Sequence, residues 1–156
     1  MTSVQLSVNG QTIEVTPRGT RTLLDVLREE LGLTGAKRGC EVGECGTCLV
    51  LLDGEPTNAC LVLAGELAGA TIVTVEGLAG GERLHPVQQA FIDCAAAQCG
   101  FCTPGFLIAA VGLLQSHPDP TRSEVCEALA GNLCRCTGYK SIVDAVLLAA
   151  HRASTA

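Results

Sequence analysis

Apolar and polar residues alternate along 3-SVQLSV-8 and again along 11-QTIEVT-16, the period of strands with one buried face. Asn9-Gly10 lies between them, and both residues tolerate the positive φ of a tight turn, so the pattern predicts a hairpin. The period then changes. In 22-TLLDVLREELG-32 the apolar positions 23, 24, 27 and 31 share one helical face, Thr22 and Asp25 are spaced as a capping box, and Gly32 is placed as a stop. A second hairpin is predicted from 48-CLVLL-52, Asp53-Gly54 and 57-TNACLVL-63, and a further strand from 71-TIVTVEG-77. The glycine-rich stretch 77-GLAGGERL-84 reads as a linker.

Beyond the linker the period is helical. Pro opens 86-PVQQAFIDCAAAQ-98 and 104-PGFLIAAVGLLQS-116, where its missing N–H is harmless. Thr121 and Glu124 begin 121-TRSEVCEALAG-131 as a second capping box, with Gly131 as its stop. The last helical segment, 140-KSIVDAVLLAAHR-152, puts His151 and Arg152 near its C-terminus. Strands, one helix and more strands form a small α+β unit, followed by four short helices that suggest a compact bundle. The expected domains are 1–78 and 79–156.

Composition changes this picture in one respect. The chain has 156 residues, 47% of them hydrophobic, but aromatics are only 3% and ten residues are cysteine. Leu, Val, Ile and Ala must therefore build the core. A net charge of −6, with ten scattered Lys and Arg, argues against nucleic-acid binding, which needs clustered cations. No segment reaches the roughly 18 apolar residues of a membrane helix, so no membrane insertion is expected. The first residues lack the basic and apolar regions of a signal peptide. The expected location is cytoplasmic, or periplasmic only if the chain is exported together with a partner. A reducing compartment favours metal binding over disulfides.

Cys40, Cys45 and Cys48 lie in 39-GCEVGECGTC-48, spaced C-x4-C-x2-C, and Cys60 follows after eleven residues. This is the plant-type spacing for a [2Fe–2S] cluster. Structural zinc prefers paired C-x2-C knuckles and fits poorly. Gly39, Gly43 and Gly46 allow the loop to wrap closely and aim N–H groups at cluster sulfur. A second set, Cys99, Cys102, Cys134 and Cys136, reads C-x2-C…C-x-C in loops at helix ends. Spacing alone leaves this set open between zinc and iron–sulfur. Cys94 and Cys126 fall within helical apolar patterns and read as small buried hydrophobes. His85, His117 and His151 lie beside turns or helix ends, with no nucleophile–base arrangement around them, so no catalytic residue is expected on this chain.

The three motifs 37-KRGCEVGECGTC-48, 98-QCGFCTPG-105 and 131-GNLCRCTGY-139 resemble, in order and context, the iron–sulfur subunit of the molybdenum hydroxylases. That family includes xanthine dehydrogenase, aerobic carbon monoxide dehydrogenase and aldehyde oxidoreductases. The resemblance implies a β-grasp ferredoxin-like domain with one [2Fe–2S] cluster and a C-terminal four-helix bundle with a second, which resolves the open set as iron–sulfur. It implies that Gln98 and Cys99 contact a molybdopterin on a large partner subunit, and that the first cluster faces FAD, usually on a medium subunit. The expected function is then relay of single electrons from the molybdopterin centre to a flavin or another acceptor. With no molybdenum or flavin domain in the sequence, those groups are expected on other polypeptides. The rival expectations are a free, diffusible two-cluster carrier and a structural zinc module.

Overall fold

The computed structural model describes residues 3–81 and 83–155. Met1, Thr2, Glu82 and Ala156, at the ends of the expected domains and in the expected linker, lie outside the described residues. The first hairpin forms as the alternation predicts. Strands β1 (Val4–Val8) and β2 (Gln11–Val15) pair antiparallel, and the turn places Asn9 at φ 50° and Gly10 at φ 79°. The Asn9 side chain also holds the sheet together. Its Nδ2 donates to Thr74 Oγ1 at 3.0 Å and its Oδ1 accepts from Thr74 N–H at 2.9 Å.

Helix α1 (Leu23–Asp25) begins with the predicted capping box. Thr22 Oγ1 accepts from Asp25 N–H and Asp25 Oδ2 accepts from Thr22 N–H. The rest of the expected helix departs from the prediction, because Val26–Glu30 winds as a π turn that closes with Leu31 N–H on Val26 O. Leu23, Leu24, Val26 and Leu27 are all buried by this winding. Strands β3 (Leu49–Leu52) and β4 (Glu55–Asn58) form the second hairpin, and β5 (Thr71–Val73) completes a mixed sheet of order β2-β1-β5-β3-β4. Among the described residues only the β1–β5 pairing is parallel. The return strand is shorter than expected: Cys60 sits in a 3-10 turn, Ala59–Leu61, immediately after β4.

The second half contains α2 (Pro86–Asp93), α3 (Thr103–Ser116), α4 (Arg122–Ala128) and α5 (Lys140–Ser154). Helix α2 ends before its predicted limit because Cys94 caps it and Ala95 turns to φ 48°. Helix α4 likewise stops short of Gly131. Phe106, Ile108, Val125, Ile142 and Val146, all buried, join these helices in one core. Leu51 of β3 belongs to the same core, so α3 packs against the sheet as well as against its own half. The architecture is α+β. Among the described residues no helix is long and apolar enough to cross a membrane.

Arg38, at the entrance of the first cysteine loop, donates to Asp25 and Glu29 at 2.9 Å and to Glu41 at 2.7 Å. Burial raises the Asp25 carboxyl, but the Thr22 N–H and the Arg38 guanidinium outweigh it and hold the group below its ordinary 3.8. A depressed folded value stabilises above the unfolded value and is lost as pH falls through the folded one. The stability gap between wild type and Asp25→Asn, read by urea unfolding, is therefore expected to be about 1 kcal/mol near neutrality. It should close below the ordinary 3.8. A gap that stays constant down to strong acid would rule out this role for the charge.

Candidate functional site

The eight motif cysteines gather in two nests. The first is the loop between the π turn and β3, with Cys60 added by the 3-10 turn after β4. Glu41, Gly43 and Gly46 all adopt positive φ there (57°, 82° and 67°), which curls the loop on itself. The curl aims backbone N–H groups at sulfur: Val42 N and Glu44 N reach Cys40 Sγ at 3.5 and 3.3 Å, and Cys40 N reaches Cys45 Sγ at 3.4 Å. The Thr47 hydroxyl lies 3.2 Å from Cys45 Sγ. Cys40 is exposed and Cys45 half-buried, while Cys48 and Cys60 are buried.

This environment divides the thiols. Amides from Val42 and Glu44 bring the Cys40 thiol down to about 6. Burial, with Cys60 alongside, pushes Cys48 up to about 12. A free Cys48 thiolate would thus be a poorly solvated anion against a neighbouring thiol, which is the condition a bound cation relieves.

The second nest joins the loop before α3 to the loop between α4 and α5. Cys99 and Cys136, both exposed, bring their sulfurs within 3.6 Å. Cys102 stands at the N-cap of α3 and pairs with Cys134; burial first, then that neighbour, pushes Cys102 up to about 12. Burial acts to raise Cys134 too, but the Thr137 hydroxyl and amide, 3.1 and 3.4 Å from its sulfur, bring it to about 7. Tyr139, at φ 67°, accepts the Cys134 N–H on its hydroxyl at 3.0 Å and packs edge-on against Phe106.

The nests open onto one cavity of about 500 Å³, lined by Cys40 and Cys45 on one side and by Cys99, Cys102, Cys134 and Cys136 on the other. Backbone joins them directly, with Leu133 N–H donating to Cys45 O at 3.0 Å. Among the described residues no three His, Cys, Asp or Glu converge as one isolated ion would require. The contacts run in pairs instead: Cys40 with Cys45, Cys48 with Cys60, Cys99 with Cys136 and Cys102 with Cys134. Two irons held by two thiolates each fit a donor set of paired sulfurs, soft ligands and inward N–H groups.

The remaining sequence-predicted residues are placed as follows. Gln98 is exposed in the loop after α2, beside exposed Cys99. Cys94 caps α2, half-buried against the helical core. Cys126 is exposed, contrary to the buried reading, because it neighbours Val125 and so points off the face that Val125 and Leu129 bury. His85 is part of a cap, its Nδ1 accepting Val87 N–H at 3.2 Å, and His117 and His151 are exposed. Sequence reasoning missed Thr47, Thr137, Tyr139 and Asn132. The threonines carried a faint signal, a hydroxyl two or three residues beyond a motif cysteine. Asn132 and Tyr139 lie inside the motif 131-GNLCRCTGY-139, but its spacing names only the cysteines: Tyr139 bonds within that loop, and Asn132 reaches a partner 86 residues away.

A model of the [2Fe-2S] binding domain family matches residues 74–147, and one of the 2Fe-2S iron-sulfur cluster binding domain family matches residues 6–79. The nicotinate dehydrogenase small FeS subunit of Eubacterium barkeri is 45% identical over 150 residues, 96% of each chain. The crystal structure of quinoline 2-oxidoreductase from Pseudomonas putida 86 superposes with a TM-score of 0.91 at 46% identity, covering 99% of this chain and 96% of that one. The aldehyde oxidoreductase of Desulfovibrio desulfuricans ATCC 27774 gives a TM-score of 0.95 at 42% identity; this chain, 99% covered, corresponds to 17% of that much longer one.

Proposed function

We propose a function from one premise: the chain belongs to the [2Fe–2S] iron–sulfur subunits of the molybdenum hydroxylase family. It serves as the electron-transfer subunit of a multi-subunit oxidoreductase, with no substrate site of its own. The observation that carries this reading is the convergence of eight cysteines, in pairs, on two nests joined by the Leu133–Cys45 hydrogen bond. On this reading Cys40, Cys45, Cys48 and Cys60 hold one cluster, and Cys99, Cys102, Cys134 and Cys136 the other. A bound [2Fe–2S] cluster accepts and releases one electron at a time.

The chain's own groups hold and tune. The amides at Cys40 and the Thr137 hydroxyl at Cys134 donate to sulfur and so favour its anionic form. Residues 1–78 are read as a β-grasp domain and 79–156 as a four-helix bundle. Phe101 and Leu133 rim the second nest at 47% and 55% exposure, large apolar side chains that a partner would cover. That partner is read as a large molybdopterin-bearing subunit, with Gln98 and Cys99 against the pterin. The first cluster is read as facing FAD on a medium subunit. The complex is read as cytoplasmic, or as periplasmic only where the chain is exported together with a partner.

Co-purification from the native organism tests the assembly. The expected result is a complex containing molybdenum in stoichiometric amount, with a buried interface of roughly 2,000 Å² or more, typical of obligate partners. A chain that purifies alone, fully loaded with iron and without a molybdenum-bearing partner, would replace the subunit by the diffusible carrier.

A further inference from the structure

Among the described residues Asn132 is one of three buried polar side chains, 3% exposed, and it lies two residues before Cys134. Its amide does not serve its own loop. Nδ2 donates at 3.1 Å to the backbone carbonyl of Gly46, next to Cys45. The neighbouring pair is Leu133 N–H on Cys45 O. Segments 132–133 and 45–46 are therefore tied by two adjacent hydrogen bonds, each beside a motif cysteine. One bond would act as a pivot, whereas two fix an orientation.

The backbone of the first cysteine loop and of α3 comes close to this side chain. A Cβ on Gly46 would lie 2.5 Å from Asn132 Nδ2 and 2.6 Å from Gly131 O. One on Gly105 of α3 would strike Gly46 O and stand 3.1 Å from Asn132 Nδ2. Leucine, of similar volume, would leave the buried Gly46 carbonyl without this donor. Aspartate, of the same shape, would set carboxylate oxygen against the Gly46 carbonyl.

We propose that Asn132 is a positioning residue that fixes the separation and orientation of the two cysteine nests. It touches neither set of sulfurs. It acts through the Gly46 carbonyl, holding the Cys45 backbone against Leu133 so that the distance an electron must cross does not drift. The proposal rests on the two-cluster reading above.

The test uses the intact complex carrying wild type, Asn132→Leu or Asn132→Asp. Paramagnetic resonance of the doubly reduced protein reads the spin–spin splitting between clusters, which depends on their separation. Hydrogen exchange reads the Leu133 amide. In both variants each cluster should keep its own spectrum. The splitting should shrink or broaden, and Leu133 exchange should accelerate about tenfold or more, as expected for loss of a buried hydrogen bond that closes the segment. Should the leucine variant not fold, the isosteric aspartate variant is read alone. A variant with both clusters, lower stability and unmoved splitting would overturn the proposal, since Asn132 would then only stabilise. A wild-type complex showing a single cluster would overturn both this proposal and the reading beneath it.

Discussion

Replacing Cys48 by alanine is expected to remove one of two clusters while leaving the other spectroscopically intact. On the two-iron stoichiometry, iron and acid-labile sulfide should each fall from about four per chain to about two. Cys48 is the sharper choice than Cys40. The exposed Cys40 lies beside Glu41 and Glu44, and water or a carboxylate could take its place on iron. Cys48 is 3% exposed, and its sulfur's polar neighbours are Cys60 and the Asn58 side chain, 3.6 Å away. The Asn58 oxygen is a neutral amide, a weak substitute for a soft thiolate on iron. Cys48 and Cys60 also belong to the core that joins Leu23, Val50 and Ile72, so losing the cluster should loosen the first half as a unit. Cys126→Ala is the control, because that thiol is exposed and outside both nests. It should retain about four irons. If Cys48→Ala keeps them as well, or stoichiometric zinc is found, the ligand assignment is wrong.

What could be read from the chain was what neighbours in sequence decide. Asn9-Gly10 specifies its turn through the φ values those two residues tolerate, and Thr22 with Asp25 caps α1 through atoms three residues apart. The spacing of Cys40, Cys45 and Cys48 reports a curled loop because so short a segment can converge on one centre in few other ways. Contacts between distant segments were illegible. Nothing near Cys60 says that its strand ends at Asn58, two residues before it, and leaves it buried on a 3-10 turn. Nothing near Asn132 points to Gly46, 86 residues away. The π turn at Val26–Glu30 follows from burying Val26 together with Leu27, a demand of the sheet it covers rather than of its own propensity. Cys126 was misplaced for a local reason that the helical period itself could have corrected, since Val125 and Leu129 already define the buried face.

Gly105→Ala should be among the most damaging single substitutions in the molecule. Gly105 is buried in the first turn of α3, and a Cβ there would run into the backbone carbonyl of Gly46. Backbone cannot rotate aside as a side-chain tip can. Either α3 shifts away from the first cysteine loop, or the loop opens. Each choice separates segments that Asn132 and Leu133 hold together. Overpacking of this kind costs typically 1–3 kcal/mol and more where no side chain can yield, so about 3 kcal/mol or failure to fold is expected. Gly112→Ala, two turns along the same helix, meets Pro56 of β4 and should also be costly, though that ring is a side chain on an exposed strand. Gly65→Ala is the reference: its Cβ would meet nothing within 4 Å and its φ is ordinary. It should be neutral or slightly stabilising, by up to about 1 kcal/mol. Urea unfolding of the three variants, with iron content measured on each, orders the effects. Equal stability for Gly105→Ala and Gly65→Ala would mean that the first cysteine loop and α3 are not in the close contact from which both the site and the pairing of its nests are built.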